Sequence, residues 1–396
     1  MKKKISRKYT NNWPIVAICY DFDKTLSPKD MQEFGLIPKL NCSSTDFWDE
    51  SNGMAKREGM DKILAYMWTI IKRARETARI TEKDFNKLGS GIELFPGVDT
   101  WFERINNIAA ELHINVEHYI ISAGLKEIIK GTSIAKYFEE IYASSFLYDV
   151  QYKNPIWPRQ VVNYTTKTQY LFRINKNCLD LSDEDAVNDY KEDKERRIPF
   201  RNFIYIGDSE TDIPAMKIVK NGGGVSIGVY NPQTKNMDRV RKLLNQERID
   251  FLMPADYSEG SRIEKLVEAT LQKINANDVL ISLNNRQKQY VEHLEYAEEL
   301  IEYTDNFIDR ESLDSEDISN MRSQARRLMK RVRRQLHAWD DDIASVEEID
   351  AFADGVESKL MEVFKKKRKE AKERLALSQE SSVKTENNDG DSGEII

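Results

Sequence analysis

Residues Ile15–Tyr20, Ile-Val-Ala-Ile-Cys-Tyr, form a short apolar run that ends abruptly in Asp21-Phe-Asp-Lys-Thr. Six residues are too few for a buried helix. A run without polar alternation predicts a central parallel strand covered on both faces. What stands at its carboxyl end then matters, because ligands of open α/β sheets bind there. Asp21, Asp23 and the hydroxyl of Thr25 occupy that position. A carboxylate can attack phosphorus to give an aspartyl-phosphate, and a second can carry the leaving group's proton. Taken alone, Asp-x-Asp after a strand is equally an ordinary acidic turn.

Three later stretches repeat the arrangement. Val116–Ser122 reads as a second strand ending in a hydroxyl, followed by Ala123-Gly124. Lys167, in Thr-Lys-Thr-Gln-Tyr-Leu, opens a helical segment and offers a fixed positive charge; Lys153 and Lys176 are alternatives, with Lys167 preferred. Phe203–Asp212 is a third strand ending in Asp208 and Asp212, whose other ordinary use is turn and helix N-cap duty. With all four stretches in order, the chain resembles the haloacid dehalogenase superfamily, closest to its phosphoserine-phosphatase-like phosphohydrolases, over residues 13–275.

That resemblance implies roles residue by residue. Asp21 is the nucleophile, and Asp23 protonates the leaving alcohol and then takes a proton from water. Thr25 helps hold the turn at the substrate, Ser122 bonds a phosphate oxygen, and Lys167 neutralises the transferring group. Asp21, Asp23, Asp208 and Asp212 are the candidate ligands of Mg²⁺, since hard oxygen donors suit that ion. The expected reaction is Mg²⁺-dependent hydrolysis of a small phosphorylated metabolite. Phosphotransferases and mutases of the same superfamily keep these residues, so the motifs do not separate them.

The expected fold is α/β, a doubly wound, Rossmann-like, mostly parallel sheet with a helical cap insertion and a C-terminal all-helical extension. The catalytic core takes residues 13–27 and 93–275. Residues 28–92 resemble a C1-type cap, with helices over Phe47–Lys56 and Met60–Arg79. A hairpin is expected from Ser145–Asp149 and Gln160–Thr165 around a Pro/Trp loop, and an edge strand over Ile249–Met253. Glu33, Arg57 and Arg73 are candidates for reading the substrate's organic part. Past residue 275 glycine and proline almost vanish. Three amphipathic helices, Asn285–Asp309, Asp317–Trp339 and Ser345–Leu375, make up a module over 276–376, and 377–396 reads as a disordered tail.

A net charge of −7 argues against a protein coated with nucleic acid. Three scattered cysteines and four scattered histidines offer neither a zinc site nor a disulfide framework. The apolar run at Ile15 is too short for a signal peptide, and no stretch reaches membrane-spanning length, so the expected setting is cytoplasmic. Residues 318–339 carry Arg322, Arg326, Arg327, Lys330, Arg331, Arg333 and Arg334 and no acid. The favoured use is a solvated face paired with the acidic first helix, with nucleic-acid binding as the alternative; self-association is a further use of the C-terminal helices. The rival to an enzyme is a non-catalytic or regulatory scaffold whose helical module binds a partner.

Overall fold

In the computed structural model, residues 13–77, 80–234 and 237–308 are described, with single positions between 319 and 334. The apolar run forms β1 (Ile15–Tyr20). An insertion follows with α1 (Leu36–Lys39), α2 (Ser44–Glu58), α3 (Lys62–Thr77) and α4 (Glu82–Gly89). Then come α5 (Val98–Glu111), β2 (Asn115–Leu125), α6 (Lys126–Lys130) and β3 (Phe138–Tyr148). The chain continues through β4 (Pro155–Gln160), α7 (Thr166–Lys176), α8 (Glu184–Asn188), β5 (Phe203–Gly207) and α9 (Ile213–Asn221). It closes with β6 (Val225–Tyr230), α10 (Asp238–Asn245), β7 (Phe251–Pro254) and α11 (Arg262–Ile308).

The seven strands lie in the order β4-β3-β2-β1-β5-β6-β7. All neighbours are parallel except β3 and β4. β1 sits where the order reverses, with β2 on one side and β5 on the other, which is the switch point at which such sheets bind ligands. The fold is the expected α/β doubly wound sheet.

The period-2 rule shows how both faces are filled. Val16, Ile18 and Tyr20 join one core with Phe102, Ile128 and Leu271, whereas Ala17 and Cys19 join the other with Leu171, Met216 and Tyr205. Continuing the alternation aims Asp21 at the second face, where α7 and α9 pack.

The inserted helices are locally encoded. Ser43 caps α2 by accepting from the Asp46 amide, and Gly59 ends that helix at φ 60°. Thr81 and Asp84 form a capping box on α4. Phe47, Met67, Ile70 and Ile71 are fully buried in the same core as β1.

Two expectations are corrected. The returning strand of the hairpin is Pro155–Gln160, not the stretch beginning at Gln160. Proline reads as loop, yet β4 is an edge strand, where a missing N–H is tolerated. The helix expected to begin at Asn285 is continuous with the one before it, as α11 runs from Arg262 to Ile308.

The chain divides into two compact units, Met1–Asp278 and Val279–Ile396, with the division inside α11. In the first unit Ile263, Val267, Leu271 and Ile274 of α11 are buried. Of the basic cluster, Arg326, Arg327, Lys330 and Arg334 are described, and all four are exposed. The expected third helix and the tail lie outside the described residues. Among the described residues no helix is long and apolar enough to cross a membrane.

Candidate active site

Asp21 leaves the end of β1 with its amide donating to the Ile206 carbonyl at 2.9 Å, so β5 fixes its backbone. Its side chain is almost wholly buried. Oδ1 accepts from the Phe22 amide at 2.8 Å and lies 3.2 Å from the Lys167 ammonium. Lys167 also donates to Asp212 Oδ1 at 2.7 Å. That oxygen takes a second bond from the Tyr205 hydroxyl, also 2.7 Å, while Asp212 Oδ2 accepts from the Ser209 hydroxyl at 3.1 Å. Asp212 thus serves both as a cap, in its pairing with Ser209, and as a partner of the buried lysine.

Lys167 is placed by its own helix start. Asn163 Oδ1 accepts from the amides of Thr165 and Thr166, and the Asn163 carbonyl accepts from the Lys167 amide. The alternatives fall elsewhere. Lys153 is exposed in the hairpin turn, and Lys176 donates to Val187 and Asp189 carbonyls at the far end of α7.

Oxygens of Asp21, Asp208 and Asp212 all lie within 4.8 Å of one another. At an effective dielectric near 20, each ionised pair at such a distance repels by about 3–4 kcal/mol. Three carboxylates against the one ammonium of Lys167 leave two formal negative charges. Burial pushes Asp21 up to about 6, with Lys167 opposing and Asp212 adding to the rise. Burial likewise raises Asp208 well above the carboxylate range, reinforced by Asp21 and Asp212. On Lys167 burial works downward, but the pull of Asp21 and Asp212 prevails and raises it. A cluster of hard oxygens, buried at Asp21 and Asp212 and partly buried at Asp208, that is short of two positive charges fits a divalent cation.

The carboxylate of Asp23 is not one of the three grouped side chains. Its Oδ1 accepts from the Met31 amide at 2.8 Å, at the start of the insertion. Burial raises its carboxyl well above the usual range, with Asp30 and Asp21 adding to the effect. Ser122 is fully buried, and its hydroxyl accepts from the Gly124 amide at 3.1 Å, which leaves its proton to donate. Thr25 holds the turn through its backbone, not its side chain. Its amide reaches the Phe22 carbonyl, while its buried hydroxyl has no partner.

Residues 18–217 match the family model of the haloacid dehalogenase-like hydrolases. The chain belongs to this family. An uncharacterized protein of Borreliella burgdorferi is 28% identical over 277 residues, covering 63% of this chain and 94% of that one. Among solved structures, a HAD family hydrolase from Salmonella enterica serovar Typhi is 17% identical, with 62% of this chain and 69% of that one covered and a TM-score of 0.39. A probable phosphoserine phosphatase from Vibrio cholerae is 11% identical, with 67% of each chain covered and a TM-score of 0.41.

In this dehalogenase-like hydrolase the insertion reaches the sheet edge through residues that no motif flags. The Tyr66 hydroxyl donates to the Ala123 carbonyl at 2.7 Å, beside Ser122. Asn163 Nδ2 donates to Asp61 Oδ2 at 3.1 Å. The candidates for reading the substrate's organic part each have a partner within the insertion. Arg73 pairs with Glu50, Arg57 with Glu58, and Glu33 accepts from the Trp48 indole. Tyr205 was legible in part, since strand alternation puts it on the face of Asp21. Its bond to Asp212 needed the turn that follows.

Proposed function

We propose that the protein is a Mg²⁺-dependent phosphatase that hydrolyses a small phosphomonoester through an aspartyl-phosphate on Asp21. The observation that carries this reading is the meeting of Asp21 with the buried Lys167 and Asp212 and the half-buried Asp208 at the carboxyl end of β1. Both partners of the Asp21 carboxylate, the Phe22 amide and the Lys167 ammonium, fall on Oδ1, which leaves Oδ2 to attack phosphorus. As that bond forms, the phosphorus–oxygen bond to the alcohol breaks, and the departing oxygen takes the proton of Asp23. A carboxyl whose proton affinity is raised by burial is suited to that donation. In the second half, water attacks phosphorus while the Asp23 carboxylate removes its proton. Inorganic phosphate leaves and Asp21 is restored. Ser122 donates to a phosphate oxygen, and Lys167 offsets charge on the transferring group.

Asp21, Asp208 and Asp212 would hold the cation, which supplies charge neutralisation between an anionic phosphate and the carboxylates. The helices of the insertion act as the cap over the leaving group, and Tyr66 at Ala123 supports that placement. The test is turnover of a generic aryl phosphate with Mg²⁺ by the wild type and by Asp21→Asn. The substitution should cost several orders of magnitude in kcat. Near-normal turnover by Asp21→Asn would overturn the reading.

A further inference from the structure

The turn that carries Asp21 and Asp23 is gripped from a part of the chain outside all four motif stretches. After β7 the chain passes Ala255 and Tyr257, both fully buried, before entering α11. The Tyr257 hydroxyl donates to the Thr25 carbonyl at 2.9 Å, across 232 positions of sequence. The Tyr257 ring stands edge-on to Trp101 with centroids 5.1 Å apart. Trp101 Nε1 in turn donates to the Tyr20 hydroxyl at 2.9 Å. Tyr20 and Thr25 bracket the segment Asp21–Lys24, so Trp101 and Tyr257 together hold both of its ends.

Tyr257 is itself fixed on both backbone sides. Its amide donates to the Pro96 carbonyl at 2.8 Å. Its carbonyl accepts from the Arg104 guanidinium, which pairs with Glu264 at 2.6 Å. Gly97 stands at φ +78°, and a Cβ there would come within 2.4 Å of the Tyr257 backbone, so glycine allows the two segments to touch. The turn being held is a tight one. The Phe22 carbonyl accepts from the amides of Thr25, Leu26 and Ser27, and Lys24 lies at φ 59°. Such a backbone for lysine persists where the surroundings impose it, at a cost of roughly 1–3 kcal/mol.

We infer that Tyr257 is a positioning residue for the hydrolysis, holding through the Thr25 carbonyl the turn that presents Asp23 to the leaving group. The inference rests on the reading of Asp23 as the acid. Burial of the ring against Trp101 would be served by phenylalanine, so the hydroxyl is the part with a specific task. A misplaced acid matters most when the departing oxygen is basic, because a stabilised phenolate leaves without a proton.

The test is Tyr257→Phe, which keeps the buried ring. Its kcat is compared with the wild type on an alkyl phosphate and on a nitro-substituted aryl phosphate, with Mg²⁺ present. Hydrogen exchange is followed at the amides of residues 22–27. The expected result is a fall of about tenfold in kcat on the alkyl ester, a much smaller fall on the aryl ester, and little change in KM. The amides of Thr25, Leu26 and Ser27 should exchange faster. Unchanged kcat on both esters with unchanged exchange would overturn the inference. So would an equal fall on both esters with a lowered Tm, which marks a brace without a positioning role. If Asp21→Asn turns over as fast as the wild type, the functional reading fails. Exchange at residues 22–27 then decides by itself whether Tyr257 holds the turn.

Discussion

At the scale of single residues, the site is a place where ionisation opposes folding until something positive arrives. Asp21 stands at about 6 where a free aspartate stands at 3.8. The folded chain therefore binds a proton between those values that the unfolded chain has lost, and this contribution to stability falls as pH rises from 3.8 to 6. Asp208 shifts in the same direction. A divalent cation should reverse the loss. At a concentration 100 times its Kd the gain is about 2.7 kcal/mol, or roughly 5–10 °C in Tm for a unit of this size. Differential scanning fluorimetry should show that rise with Mg²⁺ at pH 7.5, a much smaller one at pH 5, and almost none in Asp208→Asn. A shift independent of pH, or one retained by Asp208→Asn, would place the cation elsewhere. Much of this site was legible in the sequence because each acid follows an apolar strand, and strand period assigns Asp21 its face. Tyr257 was not legible, since its partner is 232 positions away and nothing local marks a tyrosine as a donor to a distant carbonyl.

At the scale of elements, the insertion is joined to the sheet by close backbone packing of α4 on α6. A Cβ added at Gly131 would fall 1.7 Å from the Asn86 carbonyl oxygen, a clash with backbone that no side-chain movement relieves. Gly131→Ala should therefore destabilise by about 3 kcal/mol or more, lowering Tm by roughly 6–12 °C, measurable by circular dichroism. An unchanged Tm would mean that α4 packs less closely than described. The existence of α2 and α3 was readable from their apolar faces. α4 has eight residues and was missed, although its capping box is present in the sequence as Thr81 and Asp84. β4 was misplaced because Pro155, Trp157 and Pro158 look like a loop when the edge position of the strand is unknown.

At the scale of the whole molecule, the chemistry and the C-terminal module are proposed to be separable, with the cut set by packing. Ile263, Val267, Leu271 and Ile274 are buried in the first unit. Their burial is worth roughly 6–12 kcal/mol, comparable with the entire stability of a domain at about 5–15 kcal/mol. A chain ending at Asp278 should remain soluble and keep its kcat on small esters. One ending at Gly260 should be insoluble. Expression and turnover of the two truncations check this, and loss of activity in the longer one would show that later residues complete the catalytic unit. Periodicity revealed helices on both sides of residue 275 but not that they are one. Asn275, Asn277 and Asp278 read as a break between the two periodic stretches, yet α11 runs through them.

Phosphorylation of Asp21 is the step on which the mechanism turns, and trapping that species tests it. Asp23→Asn removes the base for water attack, and a good leaving group departs without an acid. After brief reaction of Asp23→Asn with a nitro-substituted aryl phosphate and Mg²⁺, acid quench and peptide mass spectrometry should find one added phosphoryl group on Asp21. The same treatment of Asp21→Asn should find none. Release of the phenolate in a burst without any phosphorylated Asp21 peptide, or phosphate on another residue, would rule out an aspartyl-phosphate on Asp21.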